Sequence, residues 1–84
     1  MTTNELAALY TAIENVRHDR ATISEVYSIA ANLFYGDSSD DYRTWEPFQW
    51  TMICAVYAIT MQVTDGRASV QYGTKRLLWM FGGA

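Results

Sequence analysis

The sequence predicts an all-α fold: a small four-helix bundle with a central hydrophobic third helix, forming a single domain over residues 1–84. Three observations carry that prediction. From Pro47 to Thr64 the chain runs eighteen residues without a charge, and the apolar residues of that run occupy two opposite faces of a helix. Two earlier segments repeat their apolar residues with the i, i+3, i+4, i+7 spacing of one-sided amphipathic helices. Capping and terminating residues fall between the segments, where helix ends require them.

In the first helix, Leu6, Leu9, Tyr10, Ile13 and Val16 form one stripe. Thr3 or Asn4 can cap its start, and Glu5 suits the positive end of the helix dipole. The expected span is 4–17. The second helix opens on Thr22-Ile23-Ser24-Glu25, a capping box in which each side chain can satisfy the other residue's backbone N–H. Ile23, Val26, Tyr27, Ala30, Leu33 and Phe34 continue the stripe until Gly36 stops it, giving 23–35. A connection of about five residues favours an antiparallel hairpin of these two helices.

The third helix begins at Pro47, which a first turn tolerates and an interior does not. Thr44 or Glu46 can cap it, and Asp65-Gly66 ends it. Phe48, Met52, Ala55, Val56, Ile59 and Val63 fall in one sector roughly 100° wide. Trp50, Ile53, Cys54, Tyr57 and Met61 form a second sector, and Gln49 and Thr60 fill one gap between the two. The first sector is expected to receive the hairpin. The second is expected either to receive the fourth helix or to pair with another chain, which makes Trp50, Tyr57 and Met61 a possible homodimer face. In the last segment Val70, Gly73, Leu77, Leu78, Met80 and Phe81 share a face, predicting a helix over 67–81 that Gly82-Gly83 terminates. The competing reading is an extended piece over 68–72 before a helix from Thr74.

Composition narrows the function. Half of the residues are hydrophobic, with three Trp, six Tyr and three Phe, a supply of rings that argues against disorder. One cysteine excludes an intramolecular disulfide and points to a reducing, cytoplasmic setting. The opening residues have neither the basic nor the apolar region of a secretory signal. Gln49, Gln62, Thr51, Thr60 and Thr64 interrupt the uncharged run, so no membrane span is expected. Net charge is −3, unevenly spread. Residues 1–46 hold eight carboxylates against three arginines, or −5, and residues 47–84 hold Asp65 against Arg67, Lys75 and Arg76, or +2. Direct nucleic-acid binding is not expected, since the second helix contains no Arg or Lys to reach bases or phosphates.

Nothing in the pattern supports catalysis. His18, the only histidine, has Glu14 and Asp19 near it in sequence but no nucleophile, and reads as a surface residue at a helix C-terminus. Cys54 has no flanking cation to lower its pKa and reads as a small buried hydrophobe. Asp37, Asp40 and Asp41 lack the alternating ligands and distal Glu of a calcium loop. No glycine-rich phosphate loop is present. The chain is therefore expected to be no enzyme and to hold no cofactor or metal.

Two surfaces stand out as binding candidates. The first is the acidic stretch containing Asp37, Asp40, Asp41, Tyr42, Trp45 and Glu46. It reads either as a solvated loop or as a patch that faces a basic partner with two aromatic anchors. The second is Tyr72, Lys75, Arg76 and Trp79, which fall together opposite the apolar stripe of the last helix. The expected function is that of a small intracellular protein–protein interaction module acting sterically. One form is a phage or mobile-element inhibitor that occupies a basic, nucleic-acid-binding surface of a host protein. The alternative is a structural homo-oligomer assembled through the central helix.

Overall fold

In a computed structural model of the chain, which describes residues 5–36 and 45–82, four helices follow one another: α1 (Glu5–Arg17), α2 (Ile23–Phe34), α3 (Pro47–Thr64) and α4 (Val70–Met80). The described residues contain no strand. None of their helices is long and apolar enough to cross a membrane.

Each boundary has a local cause. α1 ends without a glycine: Asp19 takes the left-handed conformation (φ 58°), and the Arg20 N–H returns to the Asn15 carbonyl at 2.7 Å, a Schellman-type closure. Thr22 caps α2 by accepting from the Glu25 N–H at 3.4 Å. Tyr35 lies just past the helix as its C-cap, one residue short of the predicted end, and Gly36 turns the chain at φ 76°. Glu46 precedes Pro47, and its N–H donates to Gln49 Oε1 at 2.7 Å.

The fourth helix departs from both expectations. Residues 67–69 are not helical, and Val70–Tyr72 are neither extended nor excluded from the helix. The Arg67 and Ala68 N–H groups point back to the Gln62 carbonyl at 2.9 and 3.1 Å, finishing α3 rather than starting α4. Gly66, at φ 77°, makes that reversal. The new helix starts only where Ser69 supplies a cap, its hydroxyl accepting from the Tyr72 N–H at 3.0 Å.

Val16 and Asp19 near the end of α1, Thr22 and Ile23 at the start of α2, Val63 and Thr64 at the end of α3 and Val70 at the start of α4 surround one cavity of about 510 Å³. Consecutive helices therefore run antiparallel. α2 packs on α1, α3 and α4, whereas α1 and α3 occupy opposite corners. The Cα radius of gyration is 12.2 Å, close to the roughly 12 Å expected of a folded chain of this length.

Leu9, Ile13, Val26, Leu33, Ile53, Val56 and Leu77 are fully buried at the centre. α3 presents to it an arc that neither apolar sector predicted. Its buried residues are Ile53, Val56, Tyr57 and Thr60, so the core runs through the gap between the sectors and each sector turns toward a flanking helix. Thr60 is tolerated there because its hydroxyl lies 2.8 Å from the Val56 carbonyl and 3.2 Å from that of Tyr57, leaving no orphan donor. The sectors receive the opposite neighbours from those expected. α2 covers the side of Tyr57, while α4 and Tyr10 from the middle of α1 border the side of Phe48, Met52 and Ala55. Phe48, assigned to the core stripe, is exposed. So is Val70, placed on the inward face of the last helix; it is the first residue of α4 and borders the open cavity between the helix ends.

Candidate functional site

The predicted acidic site is only partly described. Asp37, Asp40, Asp41 and Tyr42 lie outside the described residues. Trp45 and Glu46 serve the start of α3. The Trp45 ring is half-buried and meets the Trp50 ring edge-on, with centroids 4.7 Å apart, and Glu46 is the N-cap residue. Trp45 is thus a packing element against the core rather than a free anchor.

The predicted oligomer face is largely covered. Tyr57 is 8% exposed, Met61 is half-buried against the core, and only Trp50 retains substantial exposure. α2 does the covering. The Tyr57 ring stacks between Tyr27 and Phe34, at centroid separations of 5.8 and 4.3 Å, and meets Tyr35 edge-on at 5.6 Å. Tyr27 and Phe34 stand seven residues apart on one face of α2, so the Tyr57 ring enters the groove between two of its turns. A homodimer through Trp50, Tyr57 and Met61 would have to displace this cluster.

The two Tyr hydroxyls, of Tyr35 and Tyr57, lie 2.8 Å apart. That hydrogen bond, followed by burial and by the neighbouring Tyr35 and Tyr27 phenols, pushes the Tyr57 pKa up to about 12. An unfolded tyrosine ionises near pH 10. Between those values the unfolded chain has released a proton that the folded chain still holds, so stability is intact below about pH 10 and declines as pH rises through 12. Denaturant unfolding across pH 9–12 should show that decline, alongside one late-titrating phenol in the phenolate absorbance. Tyr57→Phe should remove the late phenol and flatten this part of the profile. A wild-type titration with every phenol ionising near pH 10 would contradict the assignment.

The isolated chemistry-bearing residues stay isolated. Cys54, expected to be buried, is exposed, because the arc of α3 that carries it turns outward once Ile53, Val56, Tyr57 and Thr60 face the core. His18 is exposed, with Nε2 3.2 Å from Glu14 Oε1. Among the described residues no three His, Cys, Asp or Glu gather as a metal site.

The second predicted surface is brought together. Tyr72, Lys75, Arg76 and Trp79 line a shallow hollow of about 260 Å³ on the outer face of α4. The Arg76 guanidinium lies over the Trp79 ring at 5.7 Å, and Trp79 keeps 62% of its surface exposed. Among the described residues neither Lys75 nor Arg76 meets a carboxylate, whereas Arg17 and Arg67 each do. Gly73 and Leu77 bury the opposite face of the helix, which fixes the outward direction of these four side chains.

Trp79 also forms one wall of a neighbouring groove of about 640 Å³, whose other apolar lining comes from Tyr10 of α1, Phe48, Met52 and Ala55 of α3, and Met80 and Phe81. Sequence reasoning did not assemble this groove. Its signal was faint: Tyr10, Phe48 and Phe81 belong to the apolar stripes of three different segments, and only the fold brings them to one groove. No family model, curated protein or solved structure matches the chain. The chemistry of the surface itself must then supply the functional reading. It offers ring faces, two cations and an apolar trough, which suit contact with another molecule.

Proposed function

We propose that this chain is a small protein-binding module that acts sterically, docking the outward face of α4 on another protein. One observation carries the reading: Trp79 stands 62% exposed between an apolar groove and two cations that meet no carboxylate among the described residues. A tryptophan left mostly in water forgoes the stabilisation that burying its large apolar surface would give, a cost that a partner covering the ring would recover. Trp, Tyr and Arg are also the residues that most often dominate binding energy at interfaces. The effect on the partner is occupancy, since the surface presents no group to react with it. Nucleic acid is the weaker reading, because two cations on a chain of net charge −3 give little phosphate attraction.

A photo-crosslinking residue placed at position 79, in cells that produce the chain, should capture one discrete protein. The same residue at position 28, an exposed site on α2, should not. Equal capture from both positions, or none from position 79, would end this reading.

A further inference from the structure

We infer that the groove beside Trp79 receives the apolar side of an acidic amphipathic helix; this rests on the reading of α4 as the docking face and names the partner that face would accept. The trough is lined by Tyr10, Phe48, Met52, Trp79, Met80 and Phe81, with Thr51 and Ala55 completing it and no charged residue among them. Two of its walls, Phe48 and Trp79, are more than three-fifths exposed. The occupant must therefore bring large apolar side chains in a row. Methionine at two lining positions lets the trough adapt its shape to them.

The secondary structure of the occupant follows from hydrogen bonding. The lining backbone is helical apart from Phe81, whose N–H bonds to the Leu78 carbonyl and whose own carbonyl accepts from the Arg17 guanidinium at 2.7 Å. Among the described residues no sheet edge is available to pair with an extended segment. An extended chain laid over the trough would leave its own N–H and C=O groups facing apolar side chains, a costly arrangement. A helix satisfies its backbone internally and presents residues at i, i+3 or i+4, and i+7, the helix-in-groove mode of recognition.

The charge of the occupant follows from the α4 rim. Trp79 is shared between the trough and the hollow that holds Lys75 and Arg76. Both cations lack a carboxylate among the described residues, and no acidic residue occurs after Asp65. A helix seated in the trough passes these two groups on one flank. Glu or Asp on that flank would be attracted, and Lys or Arg repelled, so the charges set preference and orientation while the rings supply affinity.

The test uses three fluorescently labelled synthetic helical peptides and the full chain, read by anisotropy. One peptide has Leu at i, i+4 and i+7 with Glu on both flanks, the second has Lys in place of every Glu, and the third keeps Glu but replaces Leu with Gln. The Leu/Glu peptide should bind about tenfold more tightly than the Leu/Lys peptide, as expected when two exposed attractions become repulsions. The Gln/Glu peptide should not bind measurably. Lys75→Glu with Arg76→Glu should reverse the preference. Phe48→Glu should weaken the Leu/Glu peptide at least tenfold while helicity by circular dichroism stays unchanged, since Phe48 is exposed.

Equal binding of the Glu and Lys peptides, binding of the Gln/Glu peptide, or a preference that survives charge reversal would overturn the inference. So would tighter binding of a single-stranded oligonucleotide or of anionic phospholipid vesicles than of the Leu/Glu peptide. If position 79 captures a protein whose binding none of the peptides competes, this inference fails and α4 docking stands. If position 79 captures nothing, the docking reading fails with it.

Discussion

Leu77→Ala should lower stability by about 3–4 kcal/mol, the cost of deleting a fully buried leucine and leaving a void behind it. Leu77 is the only α4 side chain in the central core, and it is completely enclosed. The other apolar residues of that face, Leu78 and Met80, are only partly buried. α4 spans eleven residues, too few to hold helical structure alone in water. Its order therefore depends on docking, and Leu77 supplies most of the docking contact. Against a total stability of roughly 5–10 kcal/mol for a domain of this size, the substitution should lower the melting temperature by more than 10 °C. Urea unfolding followed by circular dichroism measures the loss directly. A cost below about 1 kcal/mol would mean that α4 is not packed as described. The same variant should lose crosslinking from position 79, because α4 would no longer hold Tyr72, Lys75, Arg76 and Trp79 on one face.

The residues that were legible in the sequence act locally. Thr22, Pro47 and Gly66 mark helix ends through bonds within a few residues of themselves, and the structure places helix boundaries beside each. The outward face of α4 was legible for the same reason. Its four members share one helix, so their spacing alone brings them together. The start of α4 was not, because the N–H groups of Arg67 and Ala68 had two possible destinations and tertiary continuity with α3 chose Gln62.

The orientation of α3 was hidden more deeply. A helical wheel shows two apolar sectors and weighs Thr60 as polar. By back-bonding to the preceding turn, Thr60 satisfies its hydroxyl and behaves as a small core residue. Once it can enter the core, the two sectors become flanks, which reverses their expected neighbours and turns Cys54 outward. The aromatic cluster and the groove are non-local in the same sense. Tyr57 needs Tyr27 and Phe34 from another helix, and the groove needs residues from three helices. No periodicity within one segment contains either.

Gly73→Ala should also destabilise the protein, and the sign of its effect is diagnostic. In a helix interior, glycine to alanine ordinarily stabilises by about 1 kcal/mol, through reduced backbone entropy in the unfolded chain and better helix propensity. Gly73 is buried in the second turn of α4, and a Cβ built there falls on Cγ2 of Val63 in α3. Overpacking of this kind costs about 1–3 kcal/mol. Because the contact is with a branched side chain between two packed helices rather than with the tip of a flexible one, the clash should outweigh the propensity gain. The net loss should be about 1–2 kcal/mol by the same accounting. Val63→Ala removes the offending methyl groups, so the double variant should recover stability relative to Gly73→Ala, with a coupling of about 1 kcal/mol or more in a double-mutant cycle. A stabilised Gly73→Ala, or additive effects of the two substitutions, would show that α3 and α4 do not approach closely at this point. The close approach matters for the proposed surface as well, since it seats the start of α4 against the end of α3 and leaves Tyr72, on the adjacent position, facing outward.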